Sequence, residues 1–202
     1  MSVADAARLL ESTRPRVTLR SYFEKPFDSA IAAARTCYSP RIISPDEITE
    51  KQRVAIGATT FNGGHHTVFQ HAHFEFGLEN VSRHFVWNFL HSHPFYNSEQ
   101  QSQRYVRLDK VQAFVPPLAN HAHEAYVRAI ERAWESYRVL GEKLAHRTRS
   151  VLYEIWKITD KTAEKRRKRI ELQVDKKAIE VARYVLPIAT FTAMVQIGRA
   201  HV

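Results

Sequence analysis

The sequence predicts an α+β fold with a helical second half. Two segments, Arg16–Phe23 and His71–Glu79, alternate apolar and polar residues with the period of two that half-buried strands show. After Pro116 and Pro117 an apolar stripe recurs at three- and four-residue spacing and predicts one long amphipathic helix: Tyr126, Val127, Ile130, Trp134, Tyr137, Leu140 and Leu144. The length of 202 residues fits a single domain, residues 1–202.

The other elements follow from capping and breaking residues. We predict a short helix over residues 3–11, a second helix from Pro26 to Ser39, and a third from Pro45 to about Thr60. Ser82 is placed to cap a helix over residues 83–91. Further helices are predicted over residues 151–156 and from about Lys176 to residue 186.

The charge balance favours anionic ligands. The formal net charge is +9 and the sequence pI is about 9.8, which suits nucleotides, phosphorylated cofactors or nucleic acid. Much of the excess lies in Lys161–Lys177, a run typical of a solvated helix face. A basic nucleic-acid-binding module therefore stays an alternative, although nucleic acid is not the partner that we expect.

The single cysteine, Cys37, excludes an internal disulfide framework and fits a reducing compartment. The N-terminus lacks the apolar region of a signal peptide, and no run approaches the ~18 apolar residues of a membrane-spanning helix. We therefore expect a soluble, cytoplasmic protein that does not bind a membrane.

Clustered histidines raise the question of a metal. His65, His66, His71 and His73 lie within nine positions, and on a strand over residues 71–79 the last two would share one face. Imidazoles with a carboxylate such as Glu75 suit zinc, but the spacing is not that of the helical H-E-x-x-H motif. We predict no metal, and a zinc hydrolase built on His65, His71 and His73 stays an alternative.

The stretch His91–Leu108 has the composition of a phosphate site. It combines hydroxyl and amide side chains with Arg104 and Arg107, and an arginine fork matches phosphate oxygens. Tyr96 and Tyr105 offer aromatic faces on which a ring could stack. These residues predict a class of ligand and not a reaction; a polar loop that caps the next element is the other interpretation.

The chain resembles the flavin-dependent thymidylate synthases at four ordered points. Ala33–Tyr38 is similar to the family's A-A-R-x-[SC]-[YF], and Gly64–His71 is similar to G-H-x-[ST]-x-x-E-H. The stretch His91–Leu108 stands where the family has R-H-R-x-x-S-x-N-x-x-S-x-R-Y, and Ala182–Pro187 is similar to A-R-x-[VL]-L-P. The resemblance implies an antiparallel sheet packed with long helices.

The resemblance also implies a reaction. A flavin, FAD, mediates one-carbon transfer from methylenetetrahydrofolate to dUMP, NADPH reduces the flavin, and the protein is a homotetramer. Arg104 and Arg183 would be catalytic. Substrate binding would involve Gln100, Gln101, Ser102, Gln103, Arg104 and Arg183. The flavin would be lined by His65, Thr67, Gln70 and one of His91 and His93. Without the resemblance, Arg183 could equally form a helix-face ion pair with Glu180, and Thr67 would be interpreted as a strand-start residue.

The chain departs from the family pattern in two places. Aligned from Ser102, the R-H-R positions fall on residues 92–94; aligned from His65 they fall on residues 90–92, and both arginines are absent either way. Gln70 stands where the family has glutamate. A catalytically altered or inactive homologue that binds a nucleotide or another phosphate ligand is therefore an alternative.

The last residues match another known pattern. Residues 197–202, IGRAHV, match the translation of a common short-read sequencing adapter. We therefore interpret residues 197–202 as an artefact and expect that the C-terminal part of the domain is missing.

Overall fold

The computed structural model describes residues 13–92 and 97–199, and the chain divides into two compact units. The first unit comprises Asn80–Phe89 and Gln100–Thr192 together with residues 13–15. The second comprises Arg16–Glu79 and Leu90–Glu99 together with the chain from Ala193 onward. The helix predicted over residues 3–11 and the candidate His93 lie outside the described residues.

A four-stranded antiparallel sheet confirms the predicted α+β class. Its strands are β1 (Arg16–Tyr22), β2 (His73–Ser82), β3 (Asn97–Gln100) and β4 (Phe191–Arg199), in the spatial order β1-β2-β4-β3. The pairing of β1 with β2 aligns Leu19 with Phe76, and a bulge follows Leu19.

The sheet corrects two sequence predictions. β2 begins at His73, so the prediction that His71 shares a strand face with it is wrong; His71 ends the 3₁₀ helix His66–His71. β4 was not predicted, because its pairing with distant strands leaves no local signal in the sequence.

Two long helices form most of the first unit. The helix α4 (Asn120–Ile155) runs without a break, so the separate helix predicted over residues 151–156 is its last turn. The helix α5 (Glu164–Ala182) begins twelve residues before the predicted Lys176, because the Lys- and Arg-rich run has high helix propensity. Its buried Ile170 and Val174 are four residues apart and pack against α4 near Leu152. The helical second half is thus confirmed, with β4 added at its end.

Two helices and a 3₁₀ turn precede β2 in the second unit. The helix α1 (Pro26–Thr36) matches its prediction, whereas the helix predicted from Pro45 is split into a 3₁₀ turn, Pro45–Glu47, and the helix α2 (Glu50–Asn62). The split follows from two consecutive capping boxes, one at Ser44 and one at Thr49, each of which starts a new helix. Asp28 of α1 is buried and pairs with Arg53 of α2, Oδ1 to Nε at 2.5 Å.

The predicted cap at Ser82 is confirmed. The helix α3 (Arg83–His91) follows β2 directly, and the Ser82 hydroxyl accepts a hydrogen bond from the backbone N–H of Phe85 at 3.0 Å. Among the described residues, no helix is both long enough and apolar enough to cross a membrane.

Candidate functional site

A tight turn in the first unit carries the predicted substrate-binding residues. The carbonyl of Ser102 accepts hydrogen bonds from the N–H groups of Tyr105 and Val106, at 3.2 and 3.0 Å. The Ser102 hydroxyl accepts a further bond from the N–H of Arg104 at 3.3 Å. Hydroxyl-to-backbone bonds of this kind stabilise turns, so the local sequence fixes where the Arg104 side chain leaves the backbone.

Glu180 of α5 anchors the cations around this turn. Arg104 Nε donates to Glu180 Oε1 at 2.6 Å, and Lys177 Nζ donates to Oε2 at 2.9 Å. The Lys177 bond, followed by that of Arg104, holds the pKa of the Glu180 carboxyl below its usual value. Seventy-six residues separate Arg104 from Glu180, so the pairing depends on the tertiary fold.

Arg183 joins the same cluster through the backbone. It begins the 3₁₀ turn Arg183–Val185 after α5, and its Nε donates to the carbonyl of Glu180 at 2.9 Å. The alternative of an ion pair between these two side chains is therefore wrong, because Arg104 and Lys177 occupy the carboxylate. In the described part of the chain, the Nη groups of Arg104 and Arg183 make no hydrogen bond, so each arginine is anchored at Nε with its fork unused.

Aromatic rings lie beside these cations. The guanidinium of Arg104 is 5.6 Å from the Tyr105 ring centroid, and Lys176 Nζ is 5.8 Å from the same ring. Arg183 lies 5.0 Å from the ring of Tyr184. Both tyrosines are exposed, and their rings are within cation–π distance of the arginines.

The remaining predicted substrate residues differ in exposure. Gln100 ends β3 and is half-buried, Gln101 is exposed, and Ser102 is half-buried. Gln103 is only 8% exposed, and its Nε2 has no hydrogen-bond acceptor among the described residues. A buried amide without an acceptor is unusual and points to a missing polar partner.

Sequence reasoning missed Arg83, the first residue of α3. Burial, followed by the charge of Arg183, lowers the pKa of the Arg83 guanidinium. The backbone N–H of Arg83 donates to the carbonyl of Thr190 at 3.0 Å, which fixes the start of α3 beside the segment that follows Arg183. The sequence signal was an arginine next to the Ser82 cap, which is indistinguishable from a surface residue without the fold.

The predicted flavin residues belong to the second unit. Thr67 and Gln70 lie within the 3₁₀ helix His66–His71, and His65 immediately precedes it. The strand-start interpretation of Thr67 is therefore wrong. His91 is the last residue of α3 and is exposed.

A cavity of about 720 Å³ borders His65 in the second unit. Its walls come from α1 and the following turn, with Ala34, Arg35 and Tyr38, and from the C-terminal half of α2, with Thr59 and others. The cavity thus brings two of the sequence motifs together, Ala33–Tyr38 and Gly64–His71. Arg35 and Tyr38 belong to the motif that resembles the family's A-A-R-x-[SC]-[YF] and were not predicted as site residues, although that motif was the signal that could have identified them.

Gly64 places His65 at this cavity. α2 ends with hydrogen bonds from the N–H groups of Gly63 to Thr59 and of His65 to Thr60, at 2.9 and 3.0 Å. Gly64 has a φ of 75°, the left-handed conformation that glycine adopts without a steric penalty.

The histidine cluster does not form a metal site in the described residues. No group of three or more His, Cys, Asp or Glu side chains within residues 13–92 and 97–199 is arranged to hold an ion. Because His71 lies outside β2, the geometric argument for the zinc hydrolase alternative also fails.

Comparison with known proteins places the chain in a family. The Thy1 family model, described as thymidylate synthase complementing protein, matches residues 18–201. The flavin-dependent thymidylate synthase of Clostridium tetani is 30% identical over 185 residues, which are 89% of this chain and 68% of that relative. The enzymes of the same name from Nitratidesulfovibrio vulgaris and Geobacter sulfurreducens are 30% and 31% identical, and this chain covers 58% and 56% of their lengths, respectively.

A solved structure has a similar fold. The crystal structure of the UMP/dUMP methylase PolB from Streptomyces cacaoi, bound with 5-Br dUMP, aligns with a TM-score of 0.62. The alignment covers 93% of this chain and 74% of that chain at 16% identity, so it speaks for the fold alone. The family model and the relatives show that the chain belongs to the thymidylate synthase complementing protein family, that of the flavin-dependent thymidylate synthases.

Proposed function

We propose that this chain binds dUMP and a flavin and methylates dUMP to dTMP. The relatives' names supply the reaction, and one observation in the structure supports substrate binding most strongly: the unused arginine forks of Arg104 and Arg183 beside the Ser102 turn. In the balanced reaction, dUMP, methylenetetrahydrofolate, NADPH and a proton give dTMP, tetrahydrofolate and NADP⁺.

The cationic cluster is suited to the dUMP phosphate. Two forks anchored at Nε can each donate two parallel hydrogen bonds to phosphate oxygens, with little loss of side-chain entropy on binding. The Ser102 hydroxyl can donate to a third oxygen while it still accepts from Arg104 N–H. Gln100, Gln101 and Gln103 are proposed to orient the rest of the nucleotide, with the Gln103 amide as a donor.

The second unit has a cavity of suitable size for part of the flavin. Its volume of about 720 Å³ lies within the usual range for ligand pockets, roughly 300–1,000 Å³. We propose that His65, which lines this cavity, holds FAD together with Thr67, Gln70 and His91 or His93, which are not among its described lining residues, and that Arg35 contributes a positive charge for the diphosphate. A bound flavin, reduced by NADPH, supplies the reducing equivalents that bring the transferred carbon to the methyl level.

Purified protein tests the proposal in two steps. A visible absorption spectrum with and without added FAD reports flavin binding. Mass spectrometry then quantifies dTMP after incubation with dUMP, methylenetetrahydrofolate and NADPH.

Arg104→Gln and Arg183→Gln should each weaken dUMP binding by at least about tenfold, since hydrogen bonds to charged groups contribute ~1.5–3 kcal/mol. Arg132→Gln, which removes an exposed arginine of α4, is the matched control and should bind normally. Protein that holds neither flavin nor dUMP would contradict the proposal.

The absent R-H-R arginines favour a second candidate, a homologue that binds the nucleotide without methylating it. The two arginine positions of the motif fall on Ser92 and Pro94 in one alignment and on Leu90 and Ser92 in the other. The same assay separates the two candidates: saturable dUMP binding without dTMP formation would assign the altered homologue.

We propose a homotetramer as the assembly. Val17, Leu19 and Tyr22 of the edge strand β1 are 64%, 48% and 59% exposed, and they align with Leu78, Phe76 and Phe74 of β2. An exposed apolar sheet face of this kind is typical of a surface buried in an assembly. Light scattering after size-exclusion chromatography measures the mass directly. A monomeric mass at every protein concentration tested would contradict the proposal.

A further inference from the structure

The side chain of Arg83 is half-buried without a counter-charge. Nη1 is buried and has no hydrogen-bond acceptor, and within the described residues no carboxylate pairs with this guanidinium. A buried cation without a partner is costly, so natural proteins rarely keep one without a function. The backbone bond from Arg83 to Thr190 and the Ser82 cap hold the residue in place, so it cannot move to solvent cheaply.

The surrounding charges do not supply the missing partner. The positive charge of Arg183 disfavours the charge of Arg83 and lowers its pKa further, and Arg83 is bonded through its backbone to Thr190, in the segment that follows Arg183. Glu180 is the carboxylate of this cluster, and Arg104 and Lys177 already occupy both of its oxygens. Arg83, Arg104, Lys177 and Arg183 carry four positive charges, and Glu180 is the one carboxylate that the described hydrogen bonds join to them, so a ligand with two negative charges would reduce the excess.

Gln103 provides a second, independent observation. This residue is only 8% exposed, and its Nε2 also lacks an acceptor among the described residues. It follows Ser102 directly in the turn that orients Arg104. Two buried donor groups of the first unit, Nη1 of Arg83 and Nε2 of Gln103, therefore lack an acceptor among the described residues.

We propose that Arg83 is a third phosphate-binding arginine, which together with Arg183 binds the dianionic phosphate of a nucleoside monophosphate. The identity of the nucleotide as dUMP rests on the proposed function, whereas the assignment of Arg83 to an anion does not. A dianionic phosphate would offset the positive charges of both Arg83 and Arg183. The site should therefore bind a phosphate monoester more tightly than an uncharged nucleoside.

Calorimetric titrations of dUMP, deoxyuridine and inorganic phosphate test the proposal, with Arg83→Gln, Arg83→Lys and the control Arg132→Gln. Arg83→Gln should weaken dUMP and phosphate binding about 10- to 100-fold and leave deoxyuridine binding unchanged. Arg83→Lys should give an intermediate loss, because an ammonium keeps the charge but lacks the planar fork. The melting temperature of ligand-free Arg83→Gln should not fall, since the substitution removes a repulsion and an unpaired charge.

Two results would overturn the proposal. One is an unchanged ratio of dUMP to deoxyuridine affinity in Arg83→Gln. The other is full dUMP affinity in Arg83→Lys combined with a loss of folding in Arg83→Gln, which would make Arg83 a structural cation. If wild-type protein binds phosphate in an Arg83-dependent manner but shows no preference for dUMP, the arginine assignment stands and the proposed function fails.

Discussion

Removing the ion pair between Asp28 and Arg53 should loosen the cavity of the second unit. The pair joins α1 to α2, the two helices that wall the cavity, with distances of 2.5 Å to Oδ1 and 3.0 Å to Oδ2. Asp28 is 6% exposed, and the hydrogen bond from Arg53 holds the pKa of its carboxyl below the usual value.

The expected loss for Asp28→Asn is about 2–3 kcal/mol in the free energy of unfolding. Breaking a fully buried pair costs ~3–5 kcal/mol, and we reduce this value because Arg53 is one-third exposed and keeps Glu50 as a partner. Since the folded-state pKa of Asp28 is depressed, the pair contributes its full stability above the unfolded pKa of about 3.9. That stability is lost as the pH falls through the lower, folded-state pKa.

Equilibrium denaturation followed by far-UV circular dichroism is the assay. The three tryptophans, Trp87, Trp134 and Trp156, all lie in the first unit, so their fluorescence would not follow α1 and α2. Glu124→Gln is the control, because its exposed pair with Arg128 should contribute only about 0–0.5 kcal/mol. Equal stability losses in the two variants at pH 7, or an Asp28→Asn deficit that persists undiminished below pH 3, would refute the reasoning.

Three further predictions concern single residues. Gly64→Ala should destabilise the protein by about 1–2 kcal/mol, because alanine is strained at a φ of 75°, whereas Gly141→Ala within α4 should stabilise it by up to ~1 kcal/mol; thermal unfolding distinguishes the two. Tyr153→Phe should lower the stability through loss of the 2.6 Å bond to Glu171, and unchanged stability in denaturant would count against that bond. Ser102→Ala should weaken dUMP binding about fivefold in a calorimetric titration while leaving flavin binding unaltered; equal affinities would remove Ser102 from the site.

Alternation and capping residues, which are short-range signals in the sequence, were sufficient to predict some of the strands and helices. β1, α1 and α3 follow from alternation, an opening proline and the Ser82 cap, and the structure places all three as expected. The predicted end of α4 and start of α5 were wrong, because the run before Lys176 is mostly charged and its apolar stripe consists of Ile170 and Val174 alone. β4 escaped prediction because a strand is defined by its partners, and those lie far away in sequence.

The candidate site was predictable only in part for the same reason. The resemblance supplied Ser102, Arg104 and Arg183 as residues, but their anchoring to Glu180 across 76 positions required the fold. The only local signal for Arg83 was its position after the Ser82 cap, which does not distinguish it from a surface residue. His71 was misplaced because a 3₁₀ helix and a strand start can share the same short histidine-rich sequence.

The interpretation of residues 197–202 as an artefact and the cytoplasmic location stay predictions. Sequencing the 3′ end of the gene from independent DNA tests whether residues 197–202 are an artefact. Subcellular fractionation tests the cytoplasmic location. A reading frame that continues past residue 196 with a different sequence would support the first prediction.

Calorimetric titration of the purified protein with dUMP and with deoxyuridine tests most directly whether the arginine cluster is a nucleotide phosphate site. We predict that dUMP binds at least about 100-fold more tightly than deoxyuridine, as expected for a phosphate held by two or more charge-assisted forks. We also predict that Arg104→Gln and Arg183→Gln each reduce this preference. Equal affinity for the two ligands would contradict the assignment of Ser102, Arg104 and Arg183 to the phosphate.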